Sequence, residues 1–232
     1  MTTHEVKPKQ HIISFGGSLL FENHTLDLEF LRAIQTLLRT QVAAGNRFIV
    51  VVGGGNVSRQ YQRALASLGG VDVDLDWIGI HACRFNAQLV RLLLQDISHP
   101  EVLLRAKEYA RVTAPMVFAG GFTPGWSSDY VSIELAEVAG IKNVINMTNT
   151  SYVYDKDPAL YPDAKAFEDL TWDAFKNLIP KEWSPGLHTP FDPHAAREAQ
   201  KNAIEVAVVG KNVKNLQDVL EGKPFIGTKL HI

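Results

Sequence analysis

Residues 48–56 of the 232-residue chain read Phe48-Ile49-Val50-Val51-Val52-Gly53-Gly54-Gly55-Asn56. Five consecutive apolar residues, three of them valine, are typical of a strand buried on both faces, as strands of parallel sheets are. The three glycines that follow do not favour continuation of the strand, and they allow the backbone to approach a ligand closely. This stretch therefore predicts an α/β fold in which a glycine loop leaves one edge of a largely parallel sheet.

The same alternation of apolar strands and longer amphipathic segments continues on both sides of this stretch. Further strands are predicted at residues 11–15, 102–104, 115–118, 144–147, 204–209 and 225–230, with a hairpin or turn at 153–158. Helices are predicted at residues 26–44, 74–95, 193–202 and 213–220, and another is predicted to begin at Ser127-Ser128-Asp129. Strands that alternate with helices in this way favour a mainly parallel sheet covered by helices.

These segments indicate one compact domain at residues 11–232, preceded by a flexible leader at residues 1–10. A change in composition near Asn149 divides the domain loosely into two lobes, at about 11–147 and 148–232. The leader is polar and lacks the apolar stretch of a secretory signal.

Charge and cysteine content argue against several classes of protein. The formal net charge is −2, so no basic excess points to nucleic acid as a partner. No run of about 18 apolar residues is present, which argues against a membrane span. Cys83 is the single cysteine and suits a reducing, cytoplasmic compartment; its apolar helical neighbours predict a buried thiol rather than a nucleophile. The eight histidines lack metal-ligand spacing, so no transition-metal site is expected.

A predicted strand followed by a glycine loop and a helix occurs three times, with the loops at residues 16–18, 53–56 and 120–121. Glycines admit an anion close to the backbone, and a helix start beyond the loop presents free N–H groups. Parallel strands end on the same edge of a sheet, so the three loops are expected to converge there as a phosphate site. None of them is a Walker P-loop or a complete Gly-x-Gly-x-x-Gly fingerprint.

Four charged residues near these loops are candidates for chemistry, each with a simpler alternative. Arg59 follows Gly55 by one helical turn and is either a bidentate phosphate ligand or a solvated surface arginine. Asp76 and Asp129 lie near predicted helix starts, where a carboxylate either binds a hydroxyl or organises a site, or only stabilises the helix. Lys165 lies in a loop-like stretch and is either functional or an ordinary exposed lysine.

Taken together, these residues make the chain resemble the amino acid kinase superfamily and, within it, the archaeal-type uridylate (UMP) kinases, over residues 11–231. The segments that carry the resemblance are Ile12-Ile13-Ser14-Phe15-Gly16-Gly17-Ser18, Val51-Val52-Gly53-Gly54-Gly55-Asn56 with Arg59, Asp76-Trp77-Ile78-Gly79-Ile80, Arg84-Phe85-Asn86-Ala87, Gly120-Gly121, Ser127-Ser128-Asp129, Thr148-Asn149, Tyr154-Asp155-Lys156-Asp157-Pro158, and Asp192-Pro193 with Ala195-Ala196. The resemblance implies a three-layer α/β/α fold around a mainly parallel sheet and a homohexamer. It also implies transfer of the ATP γ-phosphoryl group to UMP, giving UDP and ADP in pyrimidine nucleotide biosynthesis, with Mg²⁺ held through the phosphates rather than by an assigned side chain.

The resemblance also assigns roles to individual residues. Those it places against ATP are Ser14, Gly16, Gly17, Ser18, Gly55, Arg59, Thr148, Asn149, Tyr154 and Asp157. Those it places against UMP are Gly54, Asp76, Phe122, Thr123, Pro124, Gly125, Trp126, Ser127 and Ser128. Asp129, Lys165 and Arg59 are the expected catalytic residues: Asp129 would organise the site, and Lys165 would neutralise charge on the transferring group.

Some positions depart from the family pattern, and other functions stay open. Ser14 stands where many relatives have lysine, and the rings of Phe122 and Trp126 either stack on a base or fill ligand space. One alternative is a related kinase acting on another small phosphate or carboxylate. Val52 occupies a position where the isopentenyl phosphate and acetylglutamate kinases usually carry histidine, which favours a nucleotide acceptor. The other alternative is a non-catalytic ATP-binding protein related to molybdenum-storage proteins.

Overall fold

The computed structural model describes residues 9–181 and 189–232. The first eight residues of the predicted leader lie outside the described residues, and its last residue, Gln10, opens the first strand. The strands are β1 (Gln10–Phe15), β2 (Phe21–Glu22), β3 (Thr25–Leu26), β4 (Arg47–Val52), β5 (Ser98–Leu103), β6 (Met116–Ala119), β7 (Asn143–Met147), β8 (Val153–Tyr154), β9 (Ala166–Phe167), β10 (Asp169–Thr171), β11 (Glu205–Val209) and β12 (Gly227–His231). The helices are α1 (Leu28–Ala43), α2 (Gly55–Ser67), α3 (Asp72–Leu93), α4 (Ser128–Ala139), α5 (Trp172–Lys176), α6 (Pro193–Lys201) and α7 (Val213–Glu221).

An eight-stranded sheet forms the middle layer, in the order β10-β12-β11-β7-β1-β4-β6-β5. The six strands from β11 to β5 are mutually parallel, while β12 runs antiparallel to β11. β1 lies between β4 and β7, so the chain builds the sheet outward from β1 in both directions. Such a switch point leaves a crevice at the carboxyl ends of the strands, where open α/β sheets bind ligands.

Two apolar cores cover the two faces of this sheet. Neighbouring residues of β1 point to opposite sides: Ile12 joins the core that includes buried residues of α4, α5 and α6, and Ile13 joins the core that includes those of α1, α3 and α7. This alternation follows from the two-residue period of a strand. The three-layer α/β/α architecture is thereby confirmed.

Most predicted elements are present, with shifts at their ends. The helix predicted from residue 26 begins at Leu28 because the Asp27 carboxylate caps it, accepting from the Phe30 N–H at 2.9 Å. The helix predicted from residue 74 begins earlier, at Asp72. The short elements β2, β3, β9, β10 and α5 were not predicted, because two to five residues are too few to show a hydrophobic period. Within the described residues, no helix is long and apolar enough to cross a membrane.

Candidate active site

The three predicted glycine loops lie at the carboxyl ends of β1, β4 and β6, three adjacent strands of the sheet. Backbone hydrogen bonds tie the first two loops to neighbouring strands. The Gly53 N–H donates to the Phe15 carbonyl at 2.8 Å, and the Gly16 N–H donates to the Met147 carbonyl at 2.9 Å. The expected convergence of the loops on one edge of the sheet is confirmed.

The first two loops touch through their backbones, which is why both need glycine. A Cβ on Gly17 would lie 2.1 Å from the Gly53 carbonyl oxygen, and one on Gly55 would lie 2.3 Å from the Gly17 carbonyl carbon and 2.5 Å from the Ser18 nitrogen. Gly55 also has a φ of +59°, in the left-handed region that glycine adopts most easily. The loops thus form one backbone surface, with the N-terminus of α2 opening beside it.

Arg59 lies in the second turn of α2, and its side chain is half-buried beside this surface. Its Nη2 donates to the Asn56 side-chain oxygen. Burial, with a smaller contribution from Arg63, lowers the pKa of Arg59 from its ordinary value, but a guanidinium stays charged in proteins. A half-buried cation against a glycine loop fits an anion ligand better than the solvated alternative.

The segment from Phe122 to Ser128, here called the acceptor loop, connects the third glycine loop to α4. Its Gly125 N–H donates to Asp76 Oδ2 at 2.7 Å. Asp76 is therefore not the N-cap of α3, whose cap position is Val71; it lies one turn inside the helix with its carboxylate on the loop. Burial raises the pKa of Asp76.

The two aromatic residues of the acceptor loop have different surroundings. Phe122 is only 5% exposed and belongs to the apolar core, which favours the alternative that its ring fills space over the alternative that it stacks on a base. Trp126 packs on Tyr130 with ring centroids 4.6 Å apart and keeps a partly exposed surface. Thr123 is exposed, and Pro124 is partly exposed.

The start of α4 closes the site. Ser127 is its N-cap and accepts from the Tyr130 N–H at 3.1 Å, as the sequence predicted for this helix start. The hydroxyl of the next residue, Ser128, lies near Gly53: a Cβ added to Gly53 would be 3.3 Å from Ser128 Oγ. The acceptor loop is therefore bonded to α3 through Gly125, and its last residue, Ser128, lies against the second glycine loop.

Asp129, in the first turn of α4, reaches the end of β1. Its Oδ1 accepts from the Ser14 hydroxyl at 3.3 Å, and its Oδ2 accepts from the Asp192 N–H at 3.0 Å. Burial, and then the charge of Asp192, raise the pKa of Asp129 to about 7, although these two hydrogen bonds oppose the shift. A carboxylate held this far from its ordinary pKa at a sheet edge is typical of a functional site.

The predicted adenosine-binding residues lie in the neighbouring segment after β7. The Thr148 N–H donates to the Val209 carbonyl at 2.8 Å, which places Thr148 and the exposed Asn149 at the carboxyl ends of β7 and β11. Tyr154 lies on β8. Asp157 caps a turn, because its carboxylate accepts from the Ala159 N–H at 2.9 Å.

Lys165 adjoins the hairpin formed by β8 and β9, with an exposed side chain. Its backbone exchanges two hydrogen bonds with Asp155: the Lys165 N–H donates to Asp155 Oδ1 at 2.8 Å, and the Asp155 N–H donates to the Lys165 carbonyl at 3.1 Å. Its position is thus fixed by backbone contacts. In the described part of the chain, its side chain has no hydrogen bond or ion pair with the glycine loops, Arg59 or Asp129, so its role stays a prediction.

Two residues of α3 that hold the loops in place belong to a segment that carries the resemblance, but sequence reasoning assigned them no role. Arg84 donates to the carbonyls of Gly121 and Phe122, and Asn86 donates to those of Gly53 and Gly54. The signal for Asn86 was an amide within an apolar helical stripe, because a buried amide must find partners.

The surroundings of Cys83, which is next to Arg84 in the sequence, keep its thiol unreactive. Its sulfur would lie 3.4 Å from a Cβ on Gly54, close beneath the second glycine loop. Burial raises the pKa of the Cys83 thiol to about 11, so the thiol stays protonated at neutral pH. This agrees with a structural thiol rather than a nucleophile.

Known proteins are similar to this chain over most of its length. A family model described as the amino acid kinase family matches residues 9–210. The uridylate kinase of Methanobrevibacter smithii is 31% identical over 224 residues, covering 94% of this chain and 97% of that protein. The uridylate kinase of Methanothermobacter thermautotrophicus is 33% identical over 221 residues, covering 94% and 96% of the two chains.

Solved structures give the same result at the level of the fold. The crystal structure of uridylate kinase from Archaeoglobus fulgidus superposes with a TM-score of 0.80 at 28% identity, covering 94% of this chain and 98% of that one. Aspartate kinase from Synechocystis superposes with a TM-score of 0.66 at 20% identity, covering 96% of this chain and 39% of that one. The second match shows the fold alone.

Proposed function

The chain belongs to the amino acid kinase family, and from that membership we propose that it is a UMP kinase, which transfers the γ-phosphoryl group of ATP to UMP. The observation that carries the proposal is the meeting of three glycine loops at one sheet edge, with a cation on one side and a carboxylate on the other. The uridylate kinases that resemble this chain align with nearly its whole length.

The donor nucleotide occupies the side of β1 and β7 in this proposal. Free N–H groups of the first two glycine loops and the start of α2 bind the ATP phosphates, and Arg59 adds a fixed positive charge. The contributing residues are Ser14, Gly16, Gly17, Ser18, Gly55 and Arg59. Adenine and ribose contact the neighbouring segment, through Thr148, Asn149, Tyr154 and Asp157.

The acceptor nucleotide lies against the acceptor loop, with Asp76 of α3 beside it. Asp76 is suited to two ribose hydroxyls, because one carboxylate offers several acceptor positions and only one is used by Gly125. Gly54 and the loop residues Thr123, Pro124, Gly125, Ser127 and Ser128 enclose the acceptor. Trp126 offers the one aromatic face of the loop that is not buried in the core, whereas Phe122 contributes only backbone.

Catalysis in this arrangement is positioning and charge stabilisation, since phosphoryl transfer needs little covalent help from the protein. Asp129 organises the centre by holding Ser14 of β1 and the start of α6 through two hydrogen bonds. Lys165 and Arg59 supply positive charge to the transferring group. Ser14, at a position where many relatives carry lysine, leaves Arg59 and Lys165 as the cations assigned here.

Magnesium is part of the proposal and fits the available donor set. Among residues 9–181 and 189–232, no group of three or more His, Cys, Asp or Glu side chains comes together as a metal cage. Mg²⁺ commonly uses substrate phosphates and water with only one or two carboxylates. When bound, it would neutralise charge on the phosphates that the glycine-loop N–H groups and Arg59 would hold.

We further propose a homo-oligomer, a hexamer by resemblance, in the cytoplasm. Its support is an exposed apolar stripe on α3, formed by Val73, Trp77, Phe85 and Leu92. These side chains are 50%, 42%, 74% and 47% exposed, and exposed apolar surface of this kind is typical of an interaction site. A second copy of the chain is the occupant we assign. The single cysteine suits a reducing compartment.

The proposal is tested with a panel of acceptors. Purified protein is given ATP, Mg²⁺ and one acceptor at a time: UMP, CMP, isopentenyl phosphate, acetylglutamate or aspartate. The expected result is ADP formation with UMP at a kcat/KM at least about tenfold above any other acceptor, since pocket contacts discriminate at this scale. A higher kcat/KM with another acceptor would replace UMP in the proposal.

A further inference from the structure

Arg84 forms hydrogen bonds to the beginning of the acceptor loop through two nitrogens of its guanidinium group. Nε donates to the Gly121 carbonyl at 3.0 Å, and Nη2 donates to the Phe122 carbonyl at 3.1 Å. Two successive carbonyls are thus held by one planar fork, which lysine cannot reproduce. The side chain is partly buried, so these charge-assisted bonds are formed away from bulk water.

These two hydrogen bonds fix the direction of the two peptide groups that begin the loop. The described peptide bonds are all trans, and in a trans peptide unit the C=O and N–H point in opposite directions. When the carbonyls of Gly121 and Phe122 face Arg84, the N–H groups of Phe122 and Thr123 face away from it. In the described part of the chain, these two N–H groups have no hydrogen-bond partner.

This segment contacts α3 at two further positions, Gly120 and Gly125. A Cβ on Gly120 would lie 2.7 Å from the Arg84 nitrogen, so the backbone there rests directly on the helix. Eight residues before Arg84, about 12 Å along the helix axis, Asp76 receives the Gly125 N–H at 2.7 Å. The helix therefore holds the loop at its beginning and at its middle.

The same helix also holds the second glycine loop. The Asn86 amide is buried and donates to the Gly53 carbonyl at 2.9 Å and the Gly54 carbonyl at 3.2 Å. Arg84 and Asn86 lie two residues apart, so one short segment of α3 sets the spacing between the two loops. In-line transfer depends on such spacing, because displacements of about 1 Å can cost about 100-fold in rate.

We propose that Arg84 is a positioning residue that turns the N–H groups of Phe122 and Thr123 towards the phosphate of the acceptor. The inference rests on the proposed function and deepens it by assigning the anion donors of the acceptor side. Successive backbone N–H groups that point to one side form a concave anion site. Arg84 itself faces the carbonyl side of the loop and acts through it.

The test compares Arg84→Lys and Arg84→Gln with a matched control, Arg32→Lys, at an exposed arginine of α1. The lysine variant keeps the charge and the apolar stem but loses the fork, and the glutamine variant loses the charge as well. Dissociation constants for UMP alone and for ATP alone are measured by calorimetry, and kcat and KM are measured for both substrates. All variants are expected to melt within about 4 °C of the wild type, as single small changes in a chain of this size do.

We expect both Arg84 variants to raise the Kd and KM for UMP at least about tenfold, with less than about threefold change for ATP. A merely structural role would weaken both substrates together, so equal losses for UMP and ATP would overturn the inference. Values for UMP that match those of Arg32→Lys would overturn it as well, while leaving the proposed function intact. If the wild type neither binds UMP nor forms UDP, the proposed function fails, and this inference falls with it.

Discussion

At the scale of single residues, Asp129 has the least ordinary surroundings in the site. It lies between the end of β1 and the start of α6, where the charge of another carboxylate, Asp192, also acts on it. Two hydrogen bonds do not offset the burial of its charge, which is why its pKa rises to about 7. Burying this charge lowers the stability of the folded protein, but it holds a carboxylate in a fixed position among the loops.

The raised pKa of Asp129 predicts a pH-dependent effect of Asp129→Asn on stability. The pKa rises from 3.8 in the unfolded chain to about 7 in the folded protein, so the folded state binds the proton more tightly. Unfolding therefore becomes easier as the pH rises between these values. Relative to wild type, the asparagine variant should gain about 3 kcal/mol of unfolding free energy between pH 5 and pH 8. Urea unfolding at both pH values measures this gain; a pH-independent difference would contradict the raised pKa.

Lys165 gives the second prediction at this scale. Its side chain is exposed and its backbone is anchored to Asp155, so its removal should leave the fold unchanged. Lys165→Ala should lower kcat about 100-fold, the usual cost of losing one charge-stabilising donor, with little change in ATP affinity. Lys107→Ala, at another exposed lysine, is the control. Unchanged turnover in Lys165→Ala would remove this residue from the mechanism.

The limits of sequence reasoning are visible in particular residues. Arg59 could be placed from local spacing, because it lies one turn beyond a glycine loop. The cap alternative for Asp76 stayed open because Asp72 and Asp74 also lie in the first turn of α3. The contacts of Arg84 and Asn86 could not be predicted, since their partners are 32 to 38 residues away in sequence and meet them only in the folded chain.

At the scale of elements, the site is made by strand ends and glycine loops rather than by a single motif. The first and second loops interlock through Gly17 and Gly55 with no space for side chains. Parallel pairing of β1 with β4 brings those loops to the same height. This convergence was predictable from sequence because each apolar run ends at its glycines. The pairing order of the strands was not predictable, since it depends on contacts between distant segments.

Gly55→Ala tests that interlock. The substitution would put a methyl group 2.3 Å from the Gly17 backbone, so one loop must move. The control is Gly140→Ala, because Gly140 has a similar φ of +68° but no atom within 4 Å of its Cβ position. We expect the control to lose about 1 kcal/mol of unfolding free energy and keep its activity. Gly55→Ala should lose more stability and weaken ATP binding at least about tenfold. Equal effects would show that crowding at the loops is unimportant.

At the scale of the whole molecule, α3 takes part in both the site and the exposed surface. It carries Asp76, Arg84 and Asn86, which bind the loops, and it also carries the exposed apolar stripe. One helix therefore serves both the site and the surface that we assign to self-association.

Phe85→Glu tests that assignment. Placing a charge at the most exposed residue of the stripe should split the assembly, because an unpaired charge is costly in a buried interface. Light scattering after gel filtration should give a multiple of 25.7 kDa for wild type and a smaller multiple for the variant. Leu28→Glu, at an exposed leucine in the first turn of α1, is the control and should keep the wild-type mass. A monomeric wild type, or equal masses, would contradict the surface.

The central claim is phosphoryl transfer between two nucleotides held by these loops, and one measurement tests it most directly. Wild-type protein is incubated with ATP labelled on the γ-phosphate, Mg²⁺ and UMP, and the products are separated. The claim predicts that the label appears in UDP in equal amount to the ADP formed, and that Arg59→Ala lowers the rate at least about 100-fold. It would be contradicted by ATP binding without the formation of labelled UDP.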